Sequence, residues 1–523
     1  MNLPRVTYSN TGEDFSGVHA FLDEIIPDAE ARLFGNIRPG LIGGLDRPEG
    51  HVVTARSPID YSVILGDFPQ ADGAIVDEAV EAARSAYPSW RAMGWQRRIA
   101  ILRSGADVLE ERKWDLSVAC LIEVGKSRLE AVGEVEEAID LVRHYCDEME
   151  RTDGFREERP GASAAEKCSV VLRPYGVFGV IAPFNFPVAL SVGMMSAALV
   201  AGNTAVFKPS DAAGLTGRLV AEALVAGGLP DGVLNLVQGG RETGELLAKH
   251  PRVDGFAFTG SNAVGMTILR RAAASTATRP VLAEMGGKNP AFITATADLN
   301  VAALGVARSA FGLSGQKCSA ASKAYVDRSI FDDFVGALIG TTNKLVVGDP
   351  RRQEVFMGPV INDEAQERLT RAAREADTHG TVLLGGKRLE GGLFDGGPYV
   401  EPTIVSGLPS GHRINRDELF TPFLSLLPFD DLEEAIADSN RSAFGLTAGV
   451  YTQDEQELGL FLNTIEAGVL YANRASGATT GAWPGFQTFC GWKGSGTTGK
   501  GGLGSWYVPQ FMREQSHTLF GTL

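Results

Sequence analysis

Cys318 sits in Gly315-Gln316-Lys317-Cys318-Ser319, where small and polar neighbours suit an accessible thiol better than a core cysteine. The thiolate is the nucleophilic form, and a cation such as Lys317 beside it would lower the thiol pKa. Glu284, in Leu282-Ala283-Glu284-Met285-Gly286-Gly287-Lys288, closes an apolar run and precedes two glycines. Open α/β sheets place ligands at the carboxyl ends of their strands. Burial there raises a carboxyl pKa towards general-base duty. Pairing of Glu284 with Lys288 is the plain structural alternative. Asn185 lies in Pro183-Phe184-Asn185-Phe186-Pro187, a loop stiffened by two prolines and two aromatics. An amide held that firmly donates to an oxyanion, although Asn more commonly just forms turns. Cys120, Cys146 and Cys168 lie in ordinary contexts and read as structural.

A second set of motifs suits a nucleotide. Phe258-Thr259-Gly260-Ser261 runs from a strand end into a helix, and a helix N-terminus with Gly and Ser seats a pyrophosphate. Lys208, in Phe207-Lys208-Pro209-Ser210-Asp211, follows a strand and with Asp211 can hold a ribose. An ordinary helix cap and a solvated strand-end charge are the alternatives. Gly494 to Gly501 (GSGTTGKG) fits both G-x-x-x-x-G-K and GxGxxG. No strand is visible before it and no helix after it, and the Ser/Thr that should follow Lys500 is missing, so it does not read as a phosphate loop.

These residues need strand ends to stand on, and the chain supplies them. Residues 1 to about 55 are weakly patterned and read as an arm laid over the surface. From Ala71 to Met149 apolar residues recur at helical spacing, as at Ile75-Val76, Ala79-Val80 and Ala83. Asp153 to Glu166 is polar and breaks the pattern. Short apolar runs then alternate with helical stretches: strands at 176–182, 205–207, 233–237, 255–259, 281–283 and 291–293, and helices from Pro187 to Gly202, up to Gly227-Gly228, over 243–250 and over 264–274. Such alternation predicts an α/β protein with parallel sheets covered by helices, and a chain of 523 residues is long enough for about two to four domains.

Composition narrows the classes. A net charge of −16 with no Lys/Arg run argues against a nucleic-acid partner. Five widely spaced cysteines without a CxxC pair form neither a disulfide framework nor a zinc motif. The N-terminus lacks a signal pattern. The longest apolar stretch, Val188 to Gly202, contains Ser191 and Ser196 and is too short for a membrane span. The expectation is a cytoplasmic protein with no membrane or metal site.

Taken in order, PFNFP, FKPS, FTGS, EMGGKNP and GQKCS resemble the aldehyde dehydrogenase superfamily from about Pro58 to Ser516, and Glu418 and Phe420 in ELFTP look like its nicotinamide-ribose motif. The resemblance implies that Cys318 attacks an aldehyde and that Asn185 and the Cys318 N–H hold the oxyanion. Hydride then passes to the cofactor and leaves a thioester, which a water activated by Glu284 hydrolyses. It places Lys208, Ser210, Asp211, Gly244, Ser261, Gly265, Glu418 and Phe420 at the cofactor. Asp211 should repel a 2′-phosphate, so NAD is expected over NADP. The implied fold is a Rossmann-like NAD domain (1–152 and 169–283), an α/β catalytic domain (284–492) and a small β oligomerisation arm (153–168 and 493–523), assembling as a homodimer or a multiple of dimers.

Ser319 directly after the nucleophile, Thr480-Gly481-Ala482 through Gln487-Thr488-Phe489, Glu123 to Lys126 and Glu134 to Tyr145 resemble the Δ1-pyrroline-5-carboxylate (L-glutamate γ-semialdehyde) dehydrogenases. That implies Ser319, Gly481 and Ala482 as the anchor for the substrate's amino-acid end, Phe186 and Phe489 around its stem, and Lys317 in the substrate site. Any proline dehydrogenase acting with it would be a separate chain. The chain departs from the subfamily at Cys490, at Trp483-Pro484 and in a longer Ala475–Thr479 segment. Trp483 and Phe486 would enlarge the aromatic surface and admit another semialdehyde or an aromatic aldehyde. Cys490 would form an oxidised link to Cys318. A CoA-acylating acyltransferase would share Cys318 but would not need Glu284, and a non-catalytic protein on this fold would not need to keep Cys318 and Asn185.

Overall fold

The computed structural model describes residues 3–475 and 480–521. Two seven-stranded sheets carry the molecule. The first runs Val281–Met285, Gly255–Gly260, Val177–Ile181, Thr204–Lys208 and Leu234–Leu236, all parallel, and continues antiparallel into Gly40–Ile42 and Leu45–Arg47. The second runs Thr381–Leu384, Thr403–Ser406, Phe423–Phe429, Ala321–Asp327, Asn289–Ile293, Thr447–Tyr451 and Val469–Ala472, parallel except at its first pair. The central strands are short and buried along most of their length, while the edge strands Leu45–Arg47 and Thr381–Leu384 are not. Both faces are covered by helices, so alternation of polar residues has no place in them.

The helical stretch before the first sheet is four helices: Gly73–Ala92, Trp95–Glu111, Lys113–Val124 and Arg128–Arg151. Gly94 and Gly125, both at positive φ, turn the chain between them. The apolar stretch after Pro187 is the helix Ala189–Ala201, buried on nearly every side and packed against Arg128–Arg151. No helix among the described residues is long and apolar enough to cross a membrane.

Two expectations need correction. Residues 1–55 are not a plain surface arm. They contain the helix Ser16–Leu33, which buries Val18, Leu22, Ile26, Ala29 and Leu33 in the main core, and the segment before it carries the buried Val6 and Tyr8. The apolar spacing is helical, but an acidic outer face and the exposed Pro27 obscure it in the sequence. The C-terminal tail is also divided. Residues 493–511 pack beside Val281–Met285, with Met285 N–H donating to the Ser495 carbonyl (2.8 Å) and Thr497 N–H to the Ala283 carbonyl (3.2 Å). Lys493 ends a short strand, Trp492–Lys493, paired with Phe444–Gly445, whereas Met512–Phe520 pairs with Glu166–Pro174 and through it with Arg156–Pro160 in a separate antiparallel sheet.

Candidate active site

Cys318 lies in the turn between the short helix Gly312–Gly315 and the strand Ala321–Asp327. The turn is tightly built. Leu313 and Ser314 hold left-handed φ values, the Ser314 hydroxyl donates to the Gly358 carbonyl (2.8 Å), and the Asn289 amide donates to the Cys318 carbonyl (2.7 Å). Burial, with the Glu418 and Glu284 carboxylates nearby, pushes the thiol up to about 12, while the N–H groups of Cys318 and Ser319 pull the other way. Lys317 does not ionise the thiol. Its amine is paired with Glu130, 2.5 Å away, which spends its charge there.

Glu284 stands near the carboxyl end of Val281–Met285, as its position after an apolar run predicts. Burial raises its pKa to about 7, opposed by one hydrogen bond from the Gly502 N–H (3.0 Å). It is therefore poised between acid and carboxylate near neutrality, which is what a general base needs. The Gly-rich 494–502 segment that imitates a phosphate loop is the strap that supplies this bond. Lys288 is not paired with Glu284: its amine is buried without a hydrogen-bond partner and is pushed down to about 7 by burial and by Lys323.

The buried Asn185 amide donates to the Gln316 carbonyl (2.9 Å), which fixes it against the nucleophile's loop. One N–H of its NH2 group is used there, leaving the other for a ligand. Behind it, Glu134 accepts the N–H groups of Val188 (2.7 Å) and Ala189 (3.1 Å) at the start of Ala189–Ala201 and is bonded to the fully buried Lys126. The Lys126 amine lies 3.6 Å from the centre of the Phe186 ring, a cation–π contact that pins the ring.

A cavity brings Cys318, Glu284, Phe186, Lys317, Ser319 and Phe489 to one surface, together with Thr480 and Ala482 of the anchor loop. Gly481 lies between those two at positive φ, and a Cβ there would strike the Arg474 guanidinium. Asn185 is not on this wall. Residues on the wall that sequence reasoning gave no role include Glu137 and Tyr145, from one face of Arg128–Arg151 at helical spacing, and Tyr8. Burial pushes Glu137 up to about 7, and the Tyr8 hydroxyl donates to it (2.7 Å). The periodicity that marks this helix also marks its inward face, but the sequence does not show what that face meets. Trp483 and Phe486 do not enlarge the cavity. The Trp483 indole N–H donates to Asp140 (2.8 Å) behind Tyr8, and Phe486 points to solvent. Of the Ala475–Thr479 segment, residues 476–479 lie outside the described residues. The Cys490 thiol, half-buried, donates to the Gly468 carbonyl (3.5 Å).

A dinucleotide fits the residues at the neighbouring strand ends. The Lys208 amine is held by the Pro209 (2.7 Å) and Gly239 (2.9 Å) carbonyls and faces the bare Cα of Gly244. Ser210 caps the turn at Asp211, whose carboxylate lies beside Gly240. Ser261 makes no side-chain cap at the start of Asn262–Ala273, so the N–H groups there are left for an anion. Gly265 has no Cβ to keep this helix off Met285 and Phe258. Glu418 accepts the Gly287 N–H (2.9 Å) close to Cys318, and Phe420, at positive φ, packs edge-on against Phe184 (5.9 Å).

Outside the cavity lining, the side chains of Glu375, His379 and His412 converge. The Ile414 N–H caps into His412 Nδ1 (3.3 Å), which leaves the proton on Nε2, the atom that faces the other two residues.

A thiol, a base at the end of a parallel strand and a dinucleotide cradle meeting between two α/β sheets are the marks of a pyridine-nucleotide dehydrogenase that works through a covalent intermediate. The family model for the aldehyde dehydrogenase family matches residues 47–516, and the chain belongs to that family. It is 34% identical to the 1-pyrroline-5-carboxylate dehydrogenase of Bacillus subtilis strain 168, over 90% of each chain. It superposes on the 1-pyrroline-5-carboxylate dehydrogenase from Thermus with bound NAD at a TM-score of 0.92 and 31% identity, covering 99% of this chain and 100% of that one. It also superposes on proline utilization A from Bdellovibrio bacteriovorus at a TM-score of 0.90 and 32% identity, covering 95% of this chain but only 51%, about half, of that longer protein.

Proposed function

We propose that this enzyme oxidises L-glutamate γ-semialdehyde to L-glutamate with NAD. The observation that carries the substrate is a cavity with the nucleophile on one part of its wall and amino-acid chemistry on another. Ser319, Thr480 and Ala482 offer hydroxyl and loop groups to a carboxylate, and Glu137 is the buried carboxylate suited to an ammonium. Phe186 and Phe489 flank the aliphatic stem. The names of the relatives support the same substrate.

Cys318 releases its thiol proton to solvent and adds as the thiolate to the aldehyde carbon. The free N–H of the Asn185 amide and the Cys318 N–H stabilise the oxyanion, each worth about 3–4 kcal/mol in comparable sites. The bound cofactor supplies the hydride acceptor. Glu284 then takes a proton from water as the water attacks the thioester, and glutamate leaves with the thiol restored. Lys208 and Asp211 would hold the adenosine ribose, Ser261 the pyrophosphate and Glu418 the nicotinamide ribose. The Asp211 carboxylate favours NAD over its 2′-phosphorylated form. Activity on glutamate γ-semialdehyde, glutaric semialdehyde, hexanal and benzaldehyde, followed by NADH formation, tests the reading. It predicts that the amino-acid aldehyde leads by about a hundredfold in kcat/KM. A lead for hexanal or benzaldehyde would overturn it.

A further inference from the structure

The N-terminal segment is built into the substrate site. Tyr8 is buried, with its ring edge-on to Phe186 (6.1 Å) and to Trp483 (5.5 Å). Its neighbours fasten the segment down. Arg5 pairs with Glu136 (3.0 Å) and Asp140 (2.6 Å), and Asp140 also accepts the Trp483 indole N–H. Gly133 of helix Arg128–Arg151 faces Tyr8 and Val6, which lie within van der Waals reach of it. Tyr8 and Lys317 stand between the catalytic cavity and a second, more polar cavity lined by Thr11, His19, Arg128 and Arg308. The phenol O–H is directed at Glu137, beside the charges of Glu134, Lys126 and Asp140.

We propose that Tyr8 is a specificity-determining residue: its ring is the wall that limits substrate length, and its hydroxyl positions the Glu137 carboxylate for the substrate's ammonium. The ring claim stands on the two cavities alone. The hydroxyl claim rests on the substrate reading above. A hydroxyl donating to a carboxylate orients it and stabilises its charge. Without that bond Glu137 would turn or take up a proton, and an ammonium would lose its partner.

Two variants of the full chain, assayed with NAD, test this. Tyr8→Phe keeps the wall. It should raise KM for glutamate γ-semialdehyde about tenfold or more, with kcat little changed and with kcat/KM for glutaric semialdehyde, which lacks the amine, unaltered. Equal losses on both substrates, or none on either, would overturn the hydroxyl's role. Tyr8→Ala opens the wall and should raise the ratio of kcat/KM for octanal over pentanal about tenfold or more. An unchanged ratio would overturn the ring's role, whatever the natural substrate. If the wild type itself fails to prefer the γ-semialdehyde over glutaric semialdehyde, the substrate reading and the hydroxyl claim fall together, and the octanal ratio still decides the wall.

Discussion

Glu284 carries one hydrogen bond and no charged partner among the causes of its shift, so burial, working against that bond, raises it to about 7. Its ionised form is the base, so deacylation should climb as pH rises through about 7 and fall as pH drops below it. Glu137 and Glu418 are pushed to the same region. The rate to follow is therefore single-turnover hydrolysis of the acyl-enzyme, the step proposed for Glu284. A deacylation rate flat from pH 6 to 8 would count against the assignment. That Cys318 and Glu284 share a cavity was legible from local motifs, because a nucleophile and a base each need a residue type in a stiff turn or at a strand end; Asn185, read with them, stands behind the wall against the nucleophile's loop. Glu137 and Tyr8 were not legible, because their chemistry arises from a contact between segments 129 positions apart in the chain.

The loop that carries Asn185 and Phe186 is held from behind by Lys126, in the turn after Lys113–Val124, and by Glu134, inside Arg128–Arg151, both fully buried. Burial lowers the Lys126 pKa, but the charge and hydrogen bond of Glu134 together with Cys120 and Glu130 outweigh it and leave the amine raised, so Lys126 stays an ammonium. Removing one partner of a buried pair costs about 3–5 kcal/mol because the other charge is stranded. Lys126→Met should lower the denaturant midpoint accordingly, and an unchanged midpoint would show that the two N–H groups at the helix start suffice for Glu134. The strand and helix rhythm from 176 to 293 could be read in the sequence because parallel strands buried on both faces leave short apolar runs. The helix at 16–33 could not, because its apolar stripe is narrow and its outer face acidic.

At the scale of the molecule, the small antiparallel sheet stands apart from both large ones. Its outer strands, Arg156–Pro160 and Met512–Phe520, are almost wholly exposed, and Leu519 and Phe520 face solvent. Exposed edges of this kind invite pairing with another chain, and we propose that this sheet is the oligomerisation arm. Truncation after Phe511 should shift the dimer or higher assembly to monomer by light scattering, and an unchanged mass would place the interface elsewhere. The segment 153–168 read from the sequence takes in Arg156–Pro160 but cuts Glu166–Pro174 after Cys168, and the segment from 493 starts well before Met512–Phe520, because Gly-rich residues 493–511 look like a tail and in fact strap Glu284.

The most direct test of the account is to trap the intermediate. Glu284→Gln, mixed with NAD and glutamate γ-semialdehyde and quenched, should release NADH in a single burst, and mass spectrometry should find a glutamyl thioester on Cys318 alone. Continuous turnover by this variant, or an acyl group on any other residue, would contradict the division of labour between Cys318 and Glu284.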